Sequence, residues 1–173
     1  DDQLIGGSGD EILIGGDGDD QLVGGDGNDV GIFSGDYADY TVSVDGETTT
    51  VIGPDGTDTI RQVERLQFAD RTVYLDGTNN APDAIVDTAS GSEDTVLTIA
   101  AADLLGNDFD FDGDTLTITT VGNGVGGAAA LDGNGDVTFT PSGDFSGQAS
   151  FDYTVSDGQG GSATQMVTVD VAA

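Results

Sequence analysis

Residues 6–29 read "GGSGDEILIGGDGDDQLVGGDGND". Two thirds of the positions are glycine or acid, yet an apolar residue returns at fixed intervals. Aligned on the double glycines, the stretch falls into nine-residue units: Gly6–Ile14, Gly15–Val23 and Gly24–Ile32, preceded by the severed unit Asp1–Ile5. A flexible Gly/Asp linker does not keep leucine in phase. Here Leu4, Leu13 and Leu22 share one position of the unit and predict three-residue strands facing a narrow core. Glycine supplies the left-handed turns between those strands.

The unit Gly15–Val23, "GGDGDDQLV", matches G-G-x-G-x-D-x-U-x at every fixed position. It resembles the calcium-binding nonapeptide of RTX (hemolysin-type) proteins. The resemblance implies a short parallel β-roll in which two units make one turn and ions lie between turns. Its ligands would be carbonyls of the turn glycines Gly7, Gly9, Gly16, Gly18, Gly25 and Gly27, with Asp2 sharing a site with Asp20, and Glu11 with Asp29. Such an all-oxygen shell suits a hard cation such as Ca²⁺. Two departures stand out: Glu11 replaces the usual Asp, and Gly31 replaces the apolar residue of the last unit, where the roll is expected to weaken.

The charge balance fits cation binding. The chain has 173 residues, 33 acidic against 3 basic, a formal net charge of −30, and no histidine. A polyanion of this kind repels nucleic acid and anionic membranes. No apolar run approaches the roughly 18 residues of a membrane span, and no signal-peptide pattern opens the chain. The first residues, "DDQLI", read as the tail of a repeat already in progress, so a longer parent protein is expected. Without cysteine there are no disulfides or thiolate metal sites. Without histidine or cysteine there is no Ser-His triad, zinc-protease site or thiol nucleophile. Carboxylate pairs can serve a glycosidase, but these acids lie in Gly/Asp turns, and no enzyme is expected.

After residue 32 the glycine rhythm stops. "YTVSV" (40–44), "TTTVI" (48–52) and "RTVYL" (71–75) predict strands of a β-rich segment, 33–78. Its stretch "GTDTIRQVERLQFAD" (56–70) resembles the segment that follows RTX repeats in large secreted bacterial proteins, where its role would be to cap the open end of the roll. Arg61, Glu64 and Arg65 there read as surface charges.

"DGTNNAPDA" (76–84) is polar and turn-prone, and marks a domain boundary. Beyond it, seven short runs predict a β-sandwich over 79–173: 84–88, 95–100, 115–121, 127–131, 136–140, 149–156 and 164–171, with one helical turn at 101–105. Alternation assigns Leu97, Ile99, Leu116, Ile118, Val137, Phe139, Phe151, Tyr153, Val155, Val167 and Val169 to its interior. The fold class is therefore all-β: a roll, a β-rich cap and a seven-stranded sandwich.

Within the sandwich, "NDFDFDGD" (107–114) alternates Asp108, Asp110 and Asp112 before Gly113 and Asp114, the first half of a calcium-loop pattern. Carboxylates ~5 Å apart repel by about 1 kcal/mol even in water, and a divalent ion reverses that cost. Position twelve is Thr119 and no helices flank the loop, which makes it a sandwich-loop site rather than a helix–loop–helix one. Glu93, Asp94 and Asp157 are further candidate ligands, Asp157 reading equally as a turn aspartate. "LDGNGD" (131–136) reads as a hairpin turn.

"NNAPDA", "EDTVLTIAAADLLGNDFDFDGDTLTI", "VTFTPSGDFSGQASFDYTVSDGQGG" and the final "VTVDV" together resemble the cadherin-like and Ig-like tandem domains of bacterial surface adhesins. Cadherin junctions carry D-x-N-D-N-A-P; here Asp76, Asn80, Ala81 and Pro82 follow a softened version in which Thr78 and Asn79 replace two ligands, which implies a weakened junction ion at Asp76 and Asn80. Taken together, the resemblances imply a structural or adhesive module of a secreted bacterial surface protein or extracellular filament. It would be exported by a type I system and would fold outside the cell as several Ca²⁺ ions bind. Partners are expected to be calcium and copies of the chain joined in tandem or end to end. The alternatives are a glycan-binding module, disfavoured by the absence of tryptophan, and an accessory region of a secreted RTX enzyme.

Overall fold

A computed structural model describes all residues, Asp1–Ala173. The chain divides into two compact units, Asp1–Thr78 and Asn79–Ala173. No helix is long and apolar enough to cross a membrane.

The first unit begins with four very short strands: β1 (Gln3–Ile5), β2 (Ile12–Leu13), β3 (Gln21–Val23) and β4 (Val30–Ile32). They coil, since β1 pairs in parallel with β3 (Leu4 opposite Leu22) and β2 in parallel with β4. Each turn takes two nonapeptides, as the resemblance implies. Leu13 and Leu22 are buried, and Leu4 is half-buried.

The pairing of the coil is not interrupted at Gly31, which lies opposite Leu13 on one side and Leu66 on the other. The space a side chain would need there is taken by Leu66, with Phe33 and Leu22 close by, so a larger residue in a neighbouring strand fills the gap. Segment 33–78 also does more than cap. It folds out as a hairpin, β5 (Thr41–Asp45) with β6 (Thr48–Gly53), then re-enters the coil. There β7 (Gly56–Arg61) pairs in parallel with β3, and β8 (Arg65–Gln67) in parallel with β4. With β9 (Thr72–Tyr74) the result is two sheets, ordered β1-β3-β7-β6-β5 and β2-β4-β8-β9. The β5–β6 hairpin and β9 are antiparallel additions that close the far sheet edges. Beneath them Phe33 stacks on Phe68 at 5.3 Å, with Tyr40 against both, and the Arg71 guanidinium lies 4.9 Å over Tyr37.

The second unit has seven strands and one helical turn: β10 (Asp87–Ser92), β11 (Leu97–Ile99), α1 (Ala101–Leu104), β12 (Thr117–Val125), β13 (Gly127–Leu131), β14 (Val137–Pro141), β15 (Gly147–Ser156) and β16 (Ser162–Ala172). Two sheets, β10-β16-β15-β12 and β11-β14-β13, enclose a core of Ile99, Leu104, Ile118, Val137, Phe139, Phe151, Tyr153, Val155, Val167, Val169 and Val171. Of the expected interior residues, Leu97 and Leu116 are only half-buried.

One strand is displaced from its expected place. The run 84–88 gives way to Asp87–Ser92, with Ile85 and Val86 exposed. Residues 79–86 instead lie along the acidic loop. Asp83 bridges Phe109, and the Ile85 N–H donates to Asp108 Oδ1 at 2.8 Å.

Candidate metal centres

In the sandwich, Gly113 at φ +78 lets the loop 110–114 fold back on itself. Asp110 is buried, and its Oδ1 accepts the N–H groups of Asp112 (2.9 Å) and Asp114 (3.1 Å). Its Oδ2 is buried with no partner. One carboxylate oxygen from each of Asp110, Asp112 and Asp114 lies within 4.8 Å of the others. At that spacing each pair repels by about 1 kcal/mol in water and severalfold more near a protein surface. Burial first, then the charges of Asp110, Asp157 and Asp112, push the Asp114 carboxyl above the usual range. An orphaned buried oxygen inside a repelling all-oxygen set fits a hard divalent cation.

The other expected ligands distribute differently. Asp108 is not in the cluster. Its carboxylate accepts from the Tyr153 hydroxyl (3.0 Å) and the Ile85 N–H, next to Asp87. Burial pushes Asp87 upward, helped by the Asp108 charge, and pushes the Tyr153 hydroxyl upward too. Glu93 lies at the far end of the β10–β16 ladder, its N–H on Ala172, with Asp157 in the turn before β16. Asn80 braces the cluster, donating to Asp112 Oδ2 from its N–H (2.6 Å) and to Oδ1 from its amide (3.0 Å). Asp76 accepts the Thr78 N–H at 2.9 Å, a local turn. In 131–136, Asp132 accepts from Asn134 and Asp136, which is the expected hairpin turn.

Asp157 takes the turn role. One oxygen accepts the N–H groups of Gln159, Gly160 and Gly161, and the other accepts the Asn79 amide at 2.8 Å. The Asn79 bond, foremost, holds its carboxyl below the usual range. A depressed carboxyl contributes stability that is complete above its unfolded value, about pH 4, and is lost as pH falls through the lower folded value. In chelator, Asp157→Asn is therefore expected to flatten the acid limb of stability below about pH 4. Thermal melts across that window check it; an unchanged acid limb refutes it.

In the coil, the expected pairs meet through main chain and carboxylate. The Asp2 N–H donates to Asp20 Oδ1 (2.5 Å), and the Glu11 N–H donates to Asp29 Oδ1 (2.8 Å), each pair 18 residues apart. The Asp2 side chain itself is exposed. Glu11, one methylene longer than Asp, turns back to accept the Gly7 N–H at 2.9 Å. Asp20 and Asp29 are 1% and 0% exposed, and Oδ2 of each is buried without a partner. These oxygens face the α-carbons of Gly15 and Gly24, where a side chain would collide with them. The carbonyls of Gly7, Gly9 and Gly18 point at the α-carbons of Gly25, Gly27 and Gly56 one turn on, while Gly16 (φ +84) faces open space. The donor set, carboxylate plus carbonyl, again suits a hard cation.

Asp58 and Glu64 were missed as coil carboxylates. A signal was present: "GPDGTDTIR" (53–61) keeps the first, fourth, sixth and eighth positions of the nonapeptide, with Pro54 at the second. Burial first, then the charges of Asp20, Asp55 and Asp19, push the Asp58 carboxyl upward, while the Asp20 N–H opposes the shift.

A family model described as a cadherin-like domain matches residues 78–172. The chain belongs to the cadherin-like domain family. The matched span includes the whole cadherin-like sandwich and its acidic loop. No RTX repeat family is matched. No curated protein matches the chain. Among solved structures, it is similar to a nucleoside hydrolase-related hypothetical protein from Saccharophagus degradans associated with carbohydrate metabolism. That match has 16% identity and a TM-score of 0.39, over 54% of this chain and 26% of that one. It is also similar to two endo-fucoidan hydrolases of glycoside hydrolase family 107, at 21% and 20% identity and TM-scores of 0.38 and 0.35. Each covers 78% of this chain, and 22% and 26% of the respective enzymes. The chain thus spans about a quarter of the length of each of these proteins.

Proposed function

We propose that this cadherin-like chain is a calcium-stabilised, non-catalytic spacer of a secreted bacterial surface protein or extracellular filament. It folds and stiffens when it meets calcium outside the cell. The observation that carries the reading is shared by both units: buried carboxylate oxygens of Asp20, Asp29 and Asp110 have no donor. A chain of net charge −30 has few cations of its own to supply. Asp110, Asp112 and Asp114 would hold one ion in the sandwich. The Asp20 and Asp29 carboxylates, with turn carbonyls, would hold ions in an RTX-type coil. Calcium would supply fixed positive charge there and no chemistry; the absence of histidine and cysteine supports a non-enzymatic role. Parallel strands repeating every 18 residues support the nonapeptide reading. Copies joined end to end would project as a rod.

Binding to the folded state alone adds about 2.7 kcal/mol per site at a hundredfold excess over Kd. Stripped with chelator and titrated with calcium, the chain is expected to gain β-structure by circular dichroism and to melt at higher temperature. Identical melts in chelator and calcium overturn the proposal. Asp110→Asn sharpens the test, because it keeps the oxygen that caps Asp112 and Asp114 but removes one charge. The substitution is expected to stabilise the chelated sandwich by about 1 kcal/mol. In excess calcium it should destabilise the sandwich by about 1–3 kcal/mol.

A further inference from the structure

The coil has more turns than its glycine repeat declares, and the extra one brings carboxylates of its own. We propose that Asp55–Gln67 is a third turn of the coil, interrupted by the β5–β6 hairpin, and that Asp58 and Glu64 are divalent-cation ligands there. Each shares an ion with the buried carboxylate of the turn before it, Asp20 or Asp29. The inference rests on the cation-dependent coil proposed above.

The bonding pattern that links the first two turns is repeated between the second and third. The Asp20 N–H donates to Asp58 Oδ1 at 2.9 Å, and the Asp29 N–H donates to Glu64 Oε2 at 2.7 Å. The partners are now 38 and 35 residues apart instead of 18. The longer spacing reflects the inserted hairpin, and the difference between the two reflects a shortened loop before Glu64. Side chains stack in step, with Leu22 opposite Ile60 and Gln21 opposite Thr59. Gly56, at φ +140, packs its α-carbon on the Gly18 carbonyl as Gly27 does on Gly9. In the shortened loop the Gln62 carbonyl crowds Gly24 as the Gly24 carbonyl crowds Gly6.

Independent of that pattern, the carboxylates of Asp20 and Asp29 are both more than nine-tenths buried, and each leaves one oxygen without a partner. Asp58 is 2% exposed, so Asp20 and Asp58 place two carboxylates in consecutive buried positions. Asp29 Oδ2 and the Gln62 carbonyl converge on the same glycine, Gly24. Carboxylate and carbonyl oxygens with no nitrogen or sulfur among them select a hard cation, Ca²⁺ in calcium-rich surroundings.

The test counts ions on the intact chain. Chelated wild type and the double variant Asp58→Asn/Glu64→Gln are titrated with calcium. Bound ions are counted by native mass spectrometry, and amide exchange is followed by segment. Asn and Gln keep an acceptor for the Asp20 and Asp29 N–H groups. The variant is expected to bind two fewer ions and to lose calcium-dependent protection in β7 and β8, while β15 and β16 keep theirs. A variant that keeps every ion, beside a wild type whose coil gains protection with calcium, overturns this inference alone. A wild type whose residues 1–78 gain nothing from calcium overturns the underlying coil reading with it. Should the variant lose its β-structure, terbium provides a second measurement. Tyr40 donates to Asp55 at 3.1 Å, three residues before Asp58, so tyrosine-excited terbium emission is expected to fall in Tyr40→Phe. Unchanged emission overturns the inference.

Discussion

Phe151→Ala is expected to destabilise the sandwich by about 3–5 kcal/mol. Phe151 is fully buried in β15, its ring stacked on Phe139 at 5.8 Å. Ala149, Tyr153 and Val155 share its inward face, while Val167 lies opposite it on β16. Truncation removes the ring's transfer free energy and leaves a cavity between two sheets whose hydrogen bonds hold them in place. For a domain of this size the loss corresponds to a fall in melting temperature of roughly 15–30 °C. Met166→Ala is the matched control. Met166 pairs with Asp152 next to the same position but is 44% exposed, and its truncation should cost under about 0.5 kcal/mol. Calorimetry on the intact chain checks both. Equal losses would mean that the β15 alternation does not define the core.

The difference between those two neighbours was legible in the sequence, because period-two alternation in "ASFDYTVS" and "TQMVTVDV" carries its own inside and outside. The nonapeptide spacing likewise put Leu4, Leu13 and Leu22 in one position, and the resemblance implied the two-unit turn that pairs Leu4 with Leu22. What escaped were features set by distant partners. Ile85 and Val86 read as strand, yet the Asp108 carboxylate takes the Ile85 N–H and Asp83 pairs with Phe109, so the segment follows the acidic loop. Asp108 alternates with Asp110 and Asp112 on paper. A buried tyrosine hydroxyl 45 residues away draws it out of the cluster. The third coil turn was hidden for a different reason. The partial unit at 53–61 stands out of phase with the three before it, because a hairpin inserted into the repeat destroys the nine-residue period without disturbing the stack. Gly31 misled in the same way, because the side chain that fills its place belongs to Leu66.

The glycines of the coil separate two roles that the sequence shows as one, and a pair of substitutions tells them apart. Gly16 and Gly25 occupy the same position in consecutive units, and both have positive φ, +84 and +122. A methyl at Gly16 meets open space. Gly16→Ala therefore costs only the left-handed backbone penalty, about 1–2 kcal/mol. A methyl at Gly25 would run into the carbonyl of Gly7 in the turn before, where backbone meets backbone and no rotamer offers relief. That carbonyl also accepts the Asp26 N–H at 2.9 Å, so the turns cannot part without breaking the bridge that holds the β1–β2 loop against the β3–β4 loop. Gly25→Ala is expected to cost roughly 3 kcal/mol or more, the backbone penalty plus the separation of two turns. Because Asp29 reaches Glu11 across the same gap, the variant should also need more calcium than Gly16→Ala to reach the same amide protection in β3 and β4. Hydrogen exchange across a calcium titration measures both effects together. If Gly25→Ala and Gly16→Ala behave alike, the turns are not in backbone contact, and glycine serves here only to bend the chain.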